Sequence, residues 1–196
     1  MLLYLLLSAL VSQDDSELIK RLKERDPEAM KDLYDRFGKV ALAIITRIVR
    51  DRAIAEDLLQ ETFLKVWNRV AGFDVERGAL GPWVLTIARN RAIDYRRSTS
   101  SRFAQAGYDV EKLDRPFLFI DLEEQYADRD RLRHIQLAFS KLTDNQKSVL
   151  EMAYFEGLTQ SEMADRLKQP LGTVKTWVRT ALQILRQELG EAAAKA

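Results

Sequence analysis

The sequence predicts an all-α protein: two small helical domains joined by a flexible linker, the second of them a helix-turn-helix domain. Three observations carry this. Apolar residues recur every three or four positions from Ser16 onward, the period of a helix with one buried face. No run of alternating β-branched residues marks a strand. Between two such helical blocks the stretch "STSSRFAQAGYDVEKLDRPF", Ser98 to Phe117, loses the period and gathers serines, a glycine and a proline. The expected organisation is an apolar segment and lead-in helix over 1–25, a first domain over 26–97, a linker over 98–121, a second domain over 122–190 and a tail over 191–196.

The opening "MLLYLLLSALV" is apolar for eleven residues and then meets Asp14, Asp15 and Glu17. A spanning helix needs about 20 apolar residues, and the basic flank and cleavage pattern of a secretory signal are missing. The expectation is a helix packed on the body of the protein, or an extension upstream of the natural start. Leu18 and Leu22 then lead into a helix opened by Asp26 as cap, Pro27 in the first turn and Glu28 as a first-turn acid. Its stripe is Ala29, Met30, Leu33, Tyr34, Phe37, Val40, Ile44 and Ile48. Asp51 opens the next helix, with Ile54, Leu58, Leu59, Phe63, Val66 and Trp67 on one stripe. "GFDVERGALG", Gly72 to Gly81, reads as a loop, and Pro82 stands in the first turn of "WVLTIARNRAIDYRR", anchored by Trp83, Ile87 and Ile93.

In the second block the period resumes near Leu122. Thr143 or Asp144 caps a helix running towards Phe155, Gly157 breaks it, and a short helix spans Thr159 to Leu167. A turn at "KQPLG" precedes a last helix, "GTVKTWVRTALQILR", which carries Lys175, Arg179 and Arg186 and no acid. Two helices joined by a tight turn are the pattern in which the second enters the DNA major groove. Leu158, Met163, Ala164, Leu167, Val174, Val178 and Leu182 supply the buried face, leaving Thr173, Lys175, Thr176, Arg179 and Gln183 to reach base edges and phosphates. Trp177 reads as a packing residue rather than a stacking platform. Glu188 is not at a helical neighbour spacing from Arg179, so Arg179 remains a contact residue.

Composition narrows the function. The chain of 196 residues is 46% hydrophobic and 31% charged, globular in character, with 31 basic against 30 acidic residues and a net charge of +1. Contact with nucleic acid must therefore come from local patches rather than a global field. Absence of cysteine and a single histidine, His134, remove thiolate chemistry and multi-histidine metal sites. Neither a partner base nor a glycine-rich phosphate loop accompanies His134, so no enzyme is expected and no cofactor. Glu56, Asp57 and Glu61 lack further ligands for a divalent ion. In the first block an acidic and apolar face (Glu56, Asp57, Gln60, Glu61) adjoins "IARNRAIDYRR", where Arg89, Asn90, Arg91, Tyr95, Arg96 and Arg97 meet a single acid, Asp94. Two unlike partners are implied, one of them nucleic acid.

"AEDLLQETFLKVW", "PWVLTIARNRAIDYRR" and "LTDNQKSVLEMAYFEGLTQSEMADRL…PLGTVKTWVRTALQILR" together resemble the extracytoplasmic-function (ECF) group of bacterial sigma factors, from about Asp26 to Leu189 apart from the linker. The resemblance implies an alternative sigma factor that binds core RNA polymerase and directs promoter recognition. Glu56, Asp57, Leu58, Gln60, Glu61 and Phe63 would then dock on the β′ coiled coil. Trp83, Arg89, Asn90, Arg91, Asp94, Tyr95, Arg96 and Arg97, with the Gly72 to Gly81 loop, would read the minus-ten element. Thr159, Gln160, Thr173, Lys175, Thr176, Arg179 and Gln183 would read the minus-thirty-five element. The resemblance further implies a cytoplasmic protein, monomeric when free, held by a membrane-anchored anti-sigma factor. This chain departs from the group at Lys168, where members commonly carry glycine, and at Thr176 and Trp177, where they carry a Ser-Arg pair, so promoter preference does not transfer. A dimeric helix-turn-helix regulator that is not a polymerase subunit is the competing reading; it predicts a palindromic operator, not two unlike elements at fixed separation.

Overall fold

The computed structural model describes residues 15–103 and 129–193. The apolar start Met1–Val11, residues 104–121 of the expected linker and the resumption of helical period near Leu122 lie outside the described residues. The chain divides into two compact units, one centred on the first helical block and one on the second; all regular structure among the described residues is helical.

The first unit holds α1 (Ser16–Lys23), α2 (Pro27–Val49), α3 (Arg52–Arg69) and α4 (Leu80–Phe103). Asp26 takes the N-cap of α2 with its carboxylate accepting the Glu28 N–H at 3.0 Å, and Pro27 occupies the first turn, where its missing N–H costs nothing. Asp51 caps α3 in the same manner, through the Ile54 N–H at 3.1 Å. The three long helices pack on one another and α1 packs on α2. Their shared core is built from fully buried Leu22, Leu33, Phe37, Ile45, Ile48, Val66 and Leu85. Burying such side chains contributes roughly 1.5–3 kcal/mol each.

The α1–α2 corner is held electrostatically. Arg21 bonds Asp26 and Asp32, both at 2.7 Å. The bond from Arg21, seconded by the Glu28 N–H, holds the Asp26 carboxyl below the ordinary carboxylate range. Asp32 and then Asp26 raise the Arg21 guanidinium. Arg25, in the left-handed region at φ 64°, closes α3 from outside: its Nη1 donates to the Trp67 carbonyl at 2.5 Å and its guanidinium lies 5.2 Å from the Trp67 ring centroid. Behind the corner, buried Asp15 pairs with Arg36.

Two sequence-based boundaries shift. The helix that carries the first block does not stop at Arg97: α4 continues through the serines to Phe103. Ser98 remains helical by donating its hydroxyl to the Tyr95 carbonyl at 2.7 Å, the local back-bond that lets serine sit inside a helix. The loop expected over Gly72 to Gly81 is in part regular. A 3₁₀ turn at Val70–Gly72 leads into it, a second spans Val75–Arg77 within it, and its last two residues already belong to α4.

The second unit holds α5 (Arg129–Ser140), α6 (Asp144–Glu151), α7 (Gln160–Leu167) and α8 (Leu171–Ala193). Thr143 and Gln146 form a reciprocal capping box at the start of α6, and Thr159 and Glu162 repeat the device at α7. Between them Met152–Glu156 widens into a π-helical turn, closed by Gly157 at φ 66°, whose N–H and that of Leu158 both reach the Met152 carbonyl. Glu156 is pinned by Arg166. Val149, Met163, Ala164 and Val174 form the core under the α7–α8 pair, with Leu158, Leu167, Trp177 and Val178 packed around it.

Candidate functional site

Helical phase decides which side chains of α3 are available. Leu58 and Phe63 are 2% and 3% exposed, the Phe63 ring lying 5.1 Å from that of Tyr34. Their expected docking role is therefore corrected: both fall on the core stripe with Leu59 and Val66, where the 3.6-residue period directs them inward. The outward ridge of α3 is Asp57, Gln60, Glu61 and Leu64, with Glu56 beside it. Leu64 is 61% exposed, a large apolar side chain within an acidic surface, and the sequence reading missed it. The signal was present: Leu64 lies outside the stripe that already claimed Phe63. Glu56 is engaged by Arg52 one turn earlier at 2.6 Å, whereas Asp57 and Gln60 have no side-chain partner among the described residues.

Along α4, Asn90, Asp94 and Arg97 form the exposed ridge at i, i+4 and i+7, while half-buried Arg89, Arg91, Tyr95 and Arg96 flank it. Arg89 donates to the Asn90 side chain at 2.9 Å. Arg91 Nε donates to Glu61 Oε2 at 2.5 Å, so residues expected to serve two different partners are bonded to each other across α3 and α4. At the head of α4, the half-buried Trp83 ring packs on Phe73 at 4.9 Å with a 48° tilt. The adjoining turn is shaped by Asp74, whose carboxylate accepts the Glu76 N–H at 3.0 Å. It leaves Val75 56% exposed at its tip. Val75 is a second residue not singled out from sequence, although it is the apolar residue between two acids.

In the second unit the turn between α7 and α8 runs through Lys168 at φ 52°, ψ 43°, a left-handed conformation that costs a side-chain-bearing residue roughly 1–2 kcal/mol. Here the chain carries lysine where a glycine would be unstrained. Thr159 is exposed but committed to its cap, and Gln160 is half-buried. On α8, Val174, Ala181 and Leu185 are fully buried. Opposite them Gly172, Thr176, Arg179 and Gln183 share one exposed stripe, with Lys175 exposed beside it and Thr173 half-buried. Trp177 packs against the core cluster, as a packing residue should. Glu188 is taken by Lys141 at 2.5 Å, and neither Lys175 nor Arg179 forms an ion pair among the described residues. An outward helix face with cations and no carboxylate is suited to a polyanion.

Among the described residues no helix is long and apolar enough to cross a membrane. No group of three or more acidic or histidine side chains there could hold a metal ion.

Comparison with known proteins fits this geometry. Residues 33–102 match the family "Sigma-70 region 2" and residues 138–187 match "Sigma-70, region 4". The ECF RNA polymerase sigma factor SigK of Mycolicibacterium vanbaalenii is 33% identical over 184 residues, covering 93% of each chain. The protein of the same description from Mycobacterium bovis is 31% identical over 177 residues, 90% of this chain and 94% of that one. Among solved structures, Rhodobacter sphaeroides SigE in complex with the anti-sigma ChrR is 26% identical, over 88% of this chain and 99% of that one, with a TM-score of 0.46. The chain belongs to the ECF group of the sigma-70 family. It is an alternative sigma factor, of a family whose members regulate transcription initiation rather than catalyse a reaction of their own.

Proposed function

We propose that the first unit joins core RNA polymerase through the α3 ridge of Glu56, Asp57, Gln60, Glu61 and Leu64, and reads the minus-ten element through α4. The ridge has the composition of a docking face, an apolar anchor ringed by carboxylates, which fits a partner surface carrying complementary positive charge. On the DNA side, Arg89, Asn90, Arg91, Asp94, Tyr95, Arg96 and Arg97 hold the displaced strand. Trp83 and the Phe73–Ala79 turn receive an unstacked base, which requires aromatics and cations together. The second unit reads the minus-thirty-five element as intact duplex, α8 entering the major groove. Thr173, Lys175, Thr176, Arg179 and Gln183 make the contacts, with Thr159 and Gln160 at the start of α7 against the backbone.

The observation that carries this reading is the acid-free outward stripe of α8 in a chain that also matches region 2. Two weak readers on one chain gain avidity only when polymerase holds them in register. A dimeric regulator needs only the helix-turn-helix and leaves the α3 ridge without use. We further propose a cytoplasmic site of action, a free monomer, and control by an anti-sigma factor, membrane-anchored in the manner of the group, that covers both units across the linker. A pull-down from the native cell that returned polymerase but never a membrane-linked inhibitor would count against that last element.

The test is run-off transcription with core RNA polymerase, this protein and the DNA upstream of its own gene, beside an Arg96→Ala, Arg97→Ala variant. Transcripts from a discrete start with the unsubstituted protein, and loss of at least about tenfold in the variant, are expected from removal of two strand contacts. Absence of both transcript and polymerase binding would move the assignment to a dimeric regulator.

A further inference from the structure

We infer that Thr176 reads a thymine in the minus-thirty-five duplex through its methyl group, its hydroxyl being withheld from the bases. This rests on the assignment of α8 as the major-groove helix. The Thr176 Oγ1 donates to the Gly172 carbonyl one turn back at 2.9 Å. A hydroxyl has a single proton to give. With that proton spent on the helix, Thr176 offers the groove a methyl and acceptor lone pairs, and no donor for guanine O6 and N7 or for thymine O4. The base feature that matches a methyl is the C5-methyl of thymine.

The surroundings favour such a short contact. Gly172 lies on the same stripe as Thr176; its backbone is not left-handed, and a Cβ there would meet nothing within 4 Å. Neither conformation nor internal packing calls for glycine at that point in the first turn of α8. What it supplies is a bare surface one turn before Thr176, across which the duplex can come close enough for a threonine to touch a base. Trp177, the next residue, directs its ring to the core cluster and does not hold the helix away.

Deoxyuridine differs from thymidine only by the missing methyl, which makes it the probe. Holoenzyme assembled from core polymerase and the full chain is titrated with promoter duplexes, mapped by run-off transcription, in which each minus-thirty-five thymine on either strand is replaced singly by deoxyuridine. One replacement is expected to weaken binding by about three- to tenfold, the order expected for one buried methyl group. Thr176→Ser, which keeps the hydroxyl and loses the methyl, should abolish that discrimination. Thr176→Val, which keeps methyls and loses the hydroxyl, should retain the discrimination of thymine from deoxyuridine at the same position, whatever its absolute affinity. Transcription from a discrete start with no deoxyuridine effect, or loss of that discrimination in Thr176→Val, would overturn the inference and leave the sigma assignment standing. Failure of transcription altogether would remove both.

Discussion

Leu58, Phe63 and Leu64 separate what residue type says from what helical phase says. All three are apolar and all lie within the stretch that carries the family resemblance, yet two are core and one is surface. Leu58→Ala should destabilise the first unit by about 2–5 kcal/mol through the cavity it leaves. Leu64→Ala should change stability by less than about 0.5 kcal/mol and weaken binding to core polymerase by at least about fivefold, as loss of an interface anchor does. Urea unfolding and a polymerase binding titration on both variants would check this; a Leu64→Ala protein that binds polymerase normally would remove Leu64 from the docking face. The period of three and four was legible in the sequence. Membership of the motif does not separate the three residues; their side of the helical stripe does.

Helix starts were the most legible elements, because capping chemistry is local: Asp26 with Pro27, Asp51, Thr143 and Thr159 all cap the helices they precede. Ends and irregularities were less so. The π-turn over Met152–Glu156 depends on which carbonyl the Gly157 and Leu158 N–H groups reach, and no residue type announces that. The run of α4 past Arg97 to Phe103 passes through serines, whose side chains bond the backbone in turns as well as in helices, so residue type alone does not mark it. The α1–α2 corner yields a pH prediction. The Asp26 carboxyl is held below its ordinary value of 3.8 by Arg21, so its contribution is present above that pH and lost as pH falls through the lowered folded-state value. Asparagine caps a helix as well as aspartate. Asp26→Asn therefore keeps the cap and removes the charge, and its stability deficit at neutral pH should shrink as pH falls through that lowered value. Denaturation over a falling pH series from neutrality would show it; an equal deficit throughout would mean the ion pair contributes nothing.

At the scale of the whole molecule the balance of charge is nearly neutral, +1 from 31 basic and 30 acidic residues, and the positive groups are local and partly compensated. Arg91 is bonded to Glu61. The free chain should bind promoter DNA weakly and lose that binding steeply with salt, because a few phosphate contacts without a supporting field are all it has. Fluorescence anisotropy across a salt series would check this, and tight specific binding at physiological salt without polymerase would contradict it. The whole chain was legible as two helical blocks because its linker differs from both in composition, while the pairing of α3 with α4 through Glu61 and Arg91, 30 positions apart, was not. The chain's three tryptophans are placed at Trp67 under the Arg25 guanidinium, Trp83 against Phe73, and Trp177 at the α8 core. Each thus sits in a distinct electronic environment, beside one proposed polymerase face or one proposed DNA reader. Variants retaining a single indole would give each event its own optical signal, so the order in which polymerase, opened strand and duplex are engaged can be timed without attaching a dye.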